Sequence, residues 1–208
     1  MSTLLPLFPL QLVVFPRTQL PLHIFEERYK EMVSEAIQNQ SDFGIVLAKD
    51  EGIVNAGCTV IVDKVITEYP DGRLDILTSG RRRFEILFLN QEKSYLRGAV
   101  EFFDDEPEAV APQELLDKAL HGYRLMTESG EARGYAEPRM DDPQLSFQLA
   151  QSISDLDFQN RLLRCRSEME RLQLLTEFLE QHIPRLKHAE RMKHLAPRNG
   201  FGHKIAGV

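Results

Sequence analysis

The sequence predicts an α+β fold, in which a small antiparallel β-barrel with one inserted helix precedes a bundle of helices. Three observations lead to this prediction. Short segments rich in β-branched and aromatic residues follow one another closely up to residue 103. One segment among them, and four after residue 112, instead place apolar residues every three or four positions, as helices do. Closely spaced strands favour closure into a curved barrel, because closure removes exposed sheet edges.

The first half contains one predicted helix among several extended segments. The helix covers residues 25–38, where Phe25 and Tyr29 begin an apolar pattern at helical spacing. Pro70 and Gly72 suit a tight turn, which predicts a hairpin between two strands. Prolines in the first two extended segments remove backbone donors, which places those segments at a sheet edge or a bulge. The predicted extended segments are residues 4–10, 12–16, 43–48, 58–69, 73–79, 82–89 and 96–103.

An acidic segment with a proline, residues 104–108, has no apolar periodicity and predicts a boundary with solvated carboxylates. It divides the chain into a barrel subdomain at residues 1–108, a helical subdomain at residues 109–195 and a tail at residues 196–208. The tail contains proline and glycine and is predicted to be flexible.

The ends of the later helices are predicted from capping residues. Ser154 is a candidate cap for the third helix of the bundle. Ser167 caps the fourth, with Glu170 three residues later as in a capping box. Pro184 lies inside the fourth apolar pattern and predicts a kink or break near Ile183, because an interior proline removes a helical hydrogen bond. The four predicted helices cover residues 113–128, 146–153, 155–165 and a segment that follows Ser167.

Composition and charge exclude several classes of protein. The chain is 42% hydrophobic and 27% charged, which is typical of a globular protein. No apolar run is long enough to span a membrane and no basic flank precedes the first one, so we expect a cytoplasmic protein without membrane association. Cys58 and Cys165 lie far apart and are predicted to be small buried side chains. The net charge of -7 arises in residues 1–110, which carry 11 basic and 18 acidic residues, against 14 and 14 in the remainder.

The sequence shows no pattern for catalysis, for a cofactor or for a metal. A glycine-rich phosphate loop of the form GxxxxGK[ST] is absent. His182, His188 and His194 are evenly spaced, but six residues rotate a helix by about 240°, so these side chains point in different directions. Serines and cysteines stand in no recognisable nucleophile motif. We therefore expect no catalytic residue, no cofactor and no metal. The last-ranked alternative is a small-molecule enzyme, whose catalytic side chains would be distant in sequence and brought together only by folding.

Arg81, Arg82 and Arg83 are the most concentrated charge feature and form the candidate anion-binding site. In a regular strand Arg81 and Arg83 share one face, and Arg82 aligns with Phe84 and Phe88 on the other. Guanidinium groups bind phosphate or acidic peptides, but arginine stems also cover the rim of a strand that enters from solvent. The first interpretation, together with the basic carboxyl-terminal region, keeps a nucleic-acid-binding module as the alternative function. The acidic front half argues against it.

Seven short segments carry a family resemblance. They are LPLFPL at residues 5–10, VFP at 14–16, LPLHIFEERY at 20–29, FGIVL at 43–47, GRRRFEI at 80–86, LSFQLA at 145–150 and the stretch 162–172. Each segment alone is weak, but the ordered set, with these separations, resembles the amino-terminal domain of Lon proteases. The resemblance extends over nearly the whole chain, as far as Lys193.

The resemblance implies a pseudo-barrel of the PUA class followed by a helical subdomain, the region with which Lon proteases capture unfolded or tagged proteins. It also implies a non-enzymatic chain, since we expect the chain to end before any ATPase or Ser-Lys protease region. The expected partners are unfolded or tagged polypeptides, with a protease or a chaperone as further candidates. The resemblance does not specify an oligomeric state.

The proline-rich opening suggests where a polypeptide would bind. Prolines stiffen the extended segments and leave carbonyls without neighbouring donors, so part of a sheet edge is predicted to accept an added strand. Apolar side chains beside that edge would supply pockets. The alternative is that Phe15 and Phe25 belong to the barrel core, an interpretation that we favour for Phe25. The candidate peptide-binding residues are Leu10, Phe15, Pro16, Pro21, Leu22 and Ile24.

Overall fold

A computed structural model describes residues 4–107, 110–128 and 137–195, with side chains as far as residue 185. This part of the chain forms one six-stranded sheet and five helices, which confirms the predicted α+β class. The strands are β1 (Leu5–Leu10), β2 (Gln19–Ile24), β3 (Phe43–Lys49), β4 (Gly52–Glu68), β5 (Leu74–Asn90) and β6 (Arg97–Phe103). The helices are α1 (Glu27–Asn39), α2 (Gln113–Glu128), α3 (Leu145–Ala150), α4 (Leu156–Arg164) and α5 (Glu168–Leu195).

The sheet closes into a barrel because the long strand β5 pairs with three neighbours. Its first half lies between β2 and β4, and its second half pairs with β6. The strand order is β2-β5-β4-β3-β1-β6, and the additional β5–β6 pairing closes the ring. Strand β2 pairs only with β5 among the described strands, so its other edge carries no strand.

One pairing corrects the prediction of a purely antiparallel barrel. Strands β1 and β3 run parallel, so the sheet is mixed. Parallel neighbours require a crossover connection, and the chain between them supplies one through β2 and α1. Apolar patterns locate strands along the chain but say little about their direction, which is why the sequence did not predict this pairing.

Several strands also differ from the prediction. Residues 12–16 form no strand, whereas Gln19–Ile24, which the proline pattern had obscured, forms β2. Segments 73–79 and 82–89 are parts of the single strand β5. The predicted hairpin is confirmed, because β4 and β5 are antiparallel and Gly72 takes the left-handed backbone conformation with φ 80°.

Helix α1 starts at Glu27, two residues later than predicted. Phe25 therefore precedes the helix, and 60% of its surface is exposed, so its prediction as a core residue is wrong. Tyr29 and Met32, further along, do face the core as predicted. The sequence predicted the helical period of α1 correctly but not its first turn.

The caps of the later helices are confirmed in one case and corrected in another. The Glu170 amide donates to Ser167 Oγ at 3.0 Å, as the capping box predicts. Helix α4 is capped by Asp155 rather than by Ser154, since Asp155 Oδ1 accepts from the Phe158 amide at 2.9 Å. Helix α5 continues through Pro184 to Leu195, so the predicted alternative of a break is wrong and that of a kink stays a prediction.

We expect replacement of the observed cap to destabilise the protein and replacement of the predicted cap to have little effect. Asp155→Ala removes the acceptor for the Phe158 amide and should lower the free energy of unfolding by about 1 kcal/mol. The matched variant Ser154→Ala should change it by less than about 0.5 kcal/mol. Urea unfolding of both variants checks this. A larger loss for Ser154→Ala than for Asp155→Ala would restore the predicted cap.

The barrel and the helices share one apolar core. The buried cluster runs from Phe8 and Met32 beside the barrel to Leu149 and Leu175 among the helices. At its centre the rings of Phe15 and Phe147 stack, with their centroids 4.9 Å apart. The division into subdomains at residue 108 stays a prediction, because this core crosses it.

The tail at residues 196–208, predicted to be flexible, lies outside the described residues. Within the described residues, no helix has the length and apolar character that a membrane crossing requires.

Candidate functional site

A β-bulge separates the three consecutive arginines. Thr59 of β4 lies opposite both Arg81 and Arg82, because the register shifts at this point, and the Arg82 amide donates to Thr59 Oγ1 at 3.1 Å. The extra residue changes the alternation of faces along β5. Arg83 consequently points inward and is 2% exposed, whereas Arg81 and Arg82 are exposed. The prediction that Arg81 and Arg83 share an accessible face is wrong for this reason.

Arg83 joins a buried charge network centred on Asp105. Its Nη2 lies 2.6 Å from Asp105 Oδ1, and its Nη1 donates to the Cys165 carbonyl at 2.6 Å. The fully buried Arg171 holds both oxygens of the same carboxylate, at 2.6 and 2.7 Å, and also pairs with Glu168 at 2.7 Å. The network therefore connects strand β5, the segment after β6 and helix α5.

Asp105, at the centre of this network, is not the solvated carboxylate that was predicted for residues 104–108. Although burial opposes ionisation, hydrogen bonds from Arg171 and Gln144, together with the nearby guanidinium charges, lower the pKa of Asp105 to about 2. Burial raises the pKa of Glu168, against its contacts with Arg171 and Ser146. Two buried arginines facing a partly exposed carboxylate make this a structural junction, and they leave no free guanidinium for a ligand.

The two exposed arginines of the run are paired with neighbouring carboxylates. Arg81 Nη1 lies 3.5 Å from Asp42, and Arg82 Nη2 lies 3.7 Å from Asp104. The Arg82 guanidinium also lies over the Phe102 ring, 4.3 Å from its centroid. The structure therefore does not bring the three arginines together as one anion site.

Most of the predicted peptide-binding residues face the core. Phe15 and Ile24 are at most 1% exposed, and Pro16 is also buried, so a chain on the surface does not reach these side chains. Leu10 and Leu22 are half-buried against the same core, and Pro21 is exposed. Of this group, Pro21, Leu10 and Leu22 alone present surface to a partner.

The outer edge of β2 is unpaired but interrupted. The Gly80 amide donates to the Thr18 carbonyl at 2.9 Å, so the backbone groups of Thr18 face β5. Along an antiparallel strand, the backbone groups of successive residues alternate between facing the paired strand and facing away from it. Pro21, three residues after Thr18, therefore faces away from β5, and as a proline it offers no N–H there. A proline at this position prevents a long added strand from forming an unbroken row of hydrogen bonds with the edge.

His23, beside Pro21, belongs to a hydrogen-bonded group without a nucleophile. His23 Nδ1 lies 2.6 Å from Asp75 Oδ1, and the Tyr69 hydroxyl donates to Asp75 Oδ2 at 2.7 Å. Hydrogen bonds from His23 and Tyr69 lower the pKa of Asp75. The hydroxyl thus bonds the carboxylate and not the imidazole, so the group lacks the nucleophile–base contact of a catalytic triad.

A second unpaired edge, at the end of β5, was missed by the sequence analysis. The last β4–β5 pair is Ala56↔Glu85, and beyond it residues 86–90 of β5 pair only with β6 among the described strands. We call residues 86–90 the β5 outer edge. Leu87, Phe88 and Leu89 within it are 63%, 58% and 44% exposed.

The exposure of three consecutive apolar residues follows from a second bulge. The β5–β6 register shifts between Ile86 and Phe88, which leaves Leu87 as the extra residue. Strict alternation would have placed Phe88 on the face of the buried Phe84, which is the face predicted for it from the sequence. The available signal was the run Ile86 to Leu89 itself, since four apolar residues in succession cannot alternate between a core and solvent.

The reactive thiolate form is disfavoured at both cysteines, of which Cys58 is buried as predicted and Cys165 only half-buried. Cys58 is fully buried, and burial raises the pKa of its thiol to about 12. Burial likewise raises the pKa of Cys165. Across the described residues, no group of three His, Cys, Asp or Glu side chains is placed to hold a metal ion.

Comparison with known proteins places this geometry in a family. A family model described as the ATP-dependent protease La (LON) substrate-binding domain matches residues 4–181. The chain belongs to this family. The match includes the whole barrel and most of the helical region, so the resemblance noted in the sequence is confirmed.

The relatives of this Lon substrate-binding domain include full proteases. Lon protease of Parabacteroides distasonis is 31% identical over 111 residues, which is 49% of this chain and 13% of that protein. Lon protease of Lawsonia intracellularis is 29% identical over 119 residues, or 53% of this chain and 14% of that protein. The aligned part of the chain thus spans about one seventh of these relatives' length.

Solved structures of Lon amino-terminal domains share the fold. A domain from Xanthomonas campestris superposes with a TM-score of 0.67 at 24% identity, covering 85% of this chain and 98% of that one. The domain from the Mycobacterium avium complex gives 0.62 at 18% identity, covering 86% and 100%. At these identities the likeness establishes the architecture of barrel and helices.

Proposed function

We propose that this chain is a non-catalytic module that binds unfolded or tagged polypeptides, as an adaptor or as a quality-control factor in the cytoplasm. The observation that carries the proposal is membership of the Lon substrate-binding family over residues 4–181. A protease or a chaperone is the proposed recipient of the bound polypeptide.

The surface of the barrel supports this proposal. The β5 outer edge is unpaired among the described strands, and an added chain can satisfy the backbone groups of such an edge. Exposed apolar side chains, among them Leu87 and Phe88, lie at this edge. An unfolded polypeptide exposes both of the complementary features, free backbone groups and apolar side chains.

The interior supports a fixed binding platform. The shared core and the Asp105 network hold barrel and helices together. A surface that is already in place loses less conformational entropy when a partner binds. The buried thiol of Cys58 and the His23 group without a nucleophile support a binding role in preference to catalysis.

Nucleic-acid binding receives less support. The main observation in favour of nucleic-acid binding was the run Arg81 to Arg83. Arg83 is buried, and Arg81 and Arg82 lie beside carboxylates. A binding event driven by phosphate contacts would also have to overcome the acidic front half.

A titration tests the proposal directly. A fluorescently labelled model protein, kept unfolded by blocking its cysteines, should bind the chain and raise the fluorescence anisotropy. The same protein in its native disulfide-bonded form should not bind, which controls for non-specific association. Equal binding of both forms, or of neither, would contradict the proposal.

A further inference from the structure

The β5 outer edge, residues 86–90, combines three features that define one kind of ligand. It is an unpaired strand edge, it carries exposed apolar side chains, and it borders two carboxylates. The first feature suits an extended backbone, because alternate residues of an edge strand direct N–H and C=O groups outward. The edge is available because β4 leaves β5 at Ala56 and turns toward β3.

The exposed apolar side chains of this edge can contact the side chains of a ligand in addition to its backbone. Leu87 and Phe88 are 63% and 58% exposed, and Leu89 is 44% exposed. Phe88 pairs across the sheet with Ala99, whose small side chain leaves room beside the ring. A large apolar side chain of a ligand would cover the Phe88 ring and remove its surface from water.

The carboxylates determine the charge of the ligand. Glu85 and Glu101 are directly opposite each other on β5 and β6, an arrangement that like charges disfavour. Arg164 lies 3.6 Å from Glu85, whereas Glu101 is exposed and has no ion pair among the described side chains. Residues 99 and 101 share one face of β6, so Glu101 lies diagonally next to Phe88.

We infer that the β5 outer edge binds an extended polypeptide segment in which a large apolar residue is accompanied by a lysine or arginine two positions away. The spacing of two places both ligand side chains on the same face of the added strand, which is the face of the sheet that carries Phe88, Glu85 and Glu101. The net charge of -7 in residues 1–110 favours the approach of such basic segments. This inference rests on the proposed function and names its site and the class of segment bound.

The test uses short fluorescein-labelled peptides of serine and glycine. The first peptide contains Phe and, two positions on, Arg; the second replaces Arg by Glu, and the third replaces Phe by Ser. The unaltered chain should bind the first peptide about tenfold more tightly than either of the others, as expected for a buried anchor and a neighbouring charge pair. Equal affinity for the first two peptides, or no binding of the first, would overturn the inference.

Variants of the chain locate the site. Phe88→Ser should weaken binding of the Phe-Arg peptide about tenfold, whereas Phe25→Ser, at the equally exposed Phe25, should change it by less than about twofold. Glu101→Lys should reverse the preference toward the Phe-Glu peptide. Equal losses for Phe88→Ser and Phe25→Ser would refute this location. Urea unfolding confirms that the variants remain folded, as expected for exposed positions.

These results separate the inference from the proposed function. Binding of the unfolded model protein that is unchanged by Phe88→Ser and Glu101→Lys would refute the site and leave the proposed function standing. Failure of the unaltered chain to bind the unfolded protein would refute the proposed function itself.

Discussion

Replacement of Asp105 by alanine should lower the free energy of unfolding by about 3 to 5 kcal/mol. The carboxylate is the shared partner of Arg83 and Arg171, whose side chains are 2% and 0% exposed. Without it both guanidiniums stay buried with less compensating charge, and an uncompensated buried charge costs about this much. Urea unfolding followed by circular dichroism measures the loss.

The neighbouring residue provides the control for this prediction. Asp104 is 78% exposed and lies 3.7 Å from the half-exposed Arg82. Asp104→Ala should therefore change stability by less than about 0.5 kcal/mol. If Asp105→Ala also stayed within that limit, the buried network would not hold barrel and helices together.

Replacement of Phe15 by alanine should cost about 3 to 5 kcal/mol as well. Phe15 is fully buried and stacks on Phe147 of α3, so its loss opens a cavity between the barrel and the helices. Because the core is shared, fluorescence and circular dichroism should still report a single unfolding transition. Two separate transitions would show that the subdomains unfold independently.

Phe25 offers a matched control for Phe15. Its side chain is 60% exposed, and Phe25→Ala should change stability by less than about 0.5 kcal/mol. The pair also tests the sequence interpretation directly, since the apolar pattern had favoured Phe25 as the core residue. A loss at Phe25 equal to that at Phe15 would contradict the structure.

Local patterns predicted the elements that depend on neighbours in the chain. The helical period of α1, the turn at Gly72 and the Ser167 cap require contacts within a few residues, and each was confirmed. The family resemblance added the arrangement of barrel and helices. These features are encoded in residue type and spacing, which a sequence displays directly.

Features that depend on distant partners were not predictable. The parallel pairing of β1 with β3 joins segments more than 30 residues apart, and Asp105 meets Arg171 across 66 positions. The bulges at Arg82 and Leu87 arise from register between strands, and each changes which side chains face solvent. The candidate site was missed for this reason, because alternation without a bulge assigns Phe88 to the wrong face.

The most direct test of polypeptide capture at the β5 outer edge is amide hydrogen exchange of the chain with and without a saturating amount of the unfolded model protein. Added backbone pairing should slow exchange at residues 86–90, while exchange in Phe43–Lys49, which is already paired on both sides, should not change. Unchanged exchange at residues 86–90 in the presence of bound polypeptide would contradict the account.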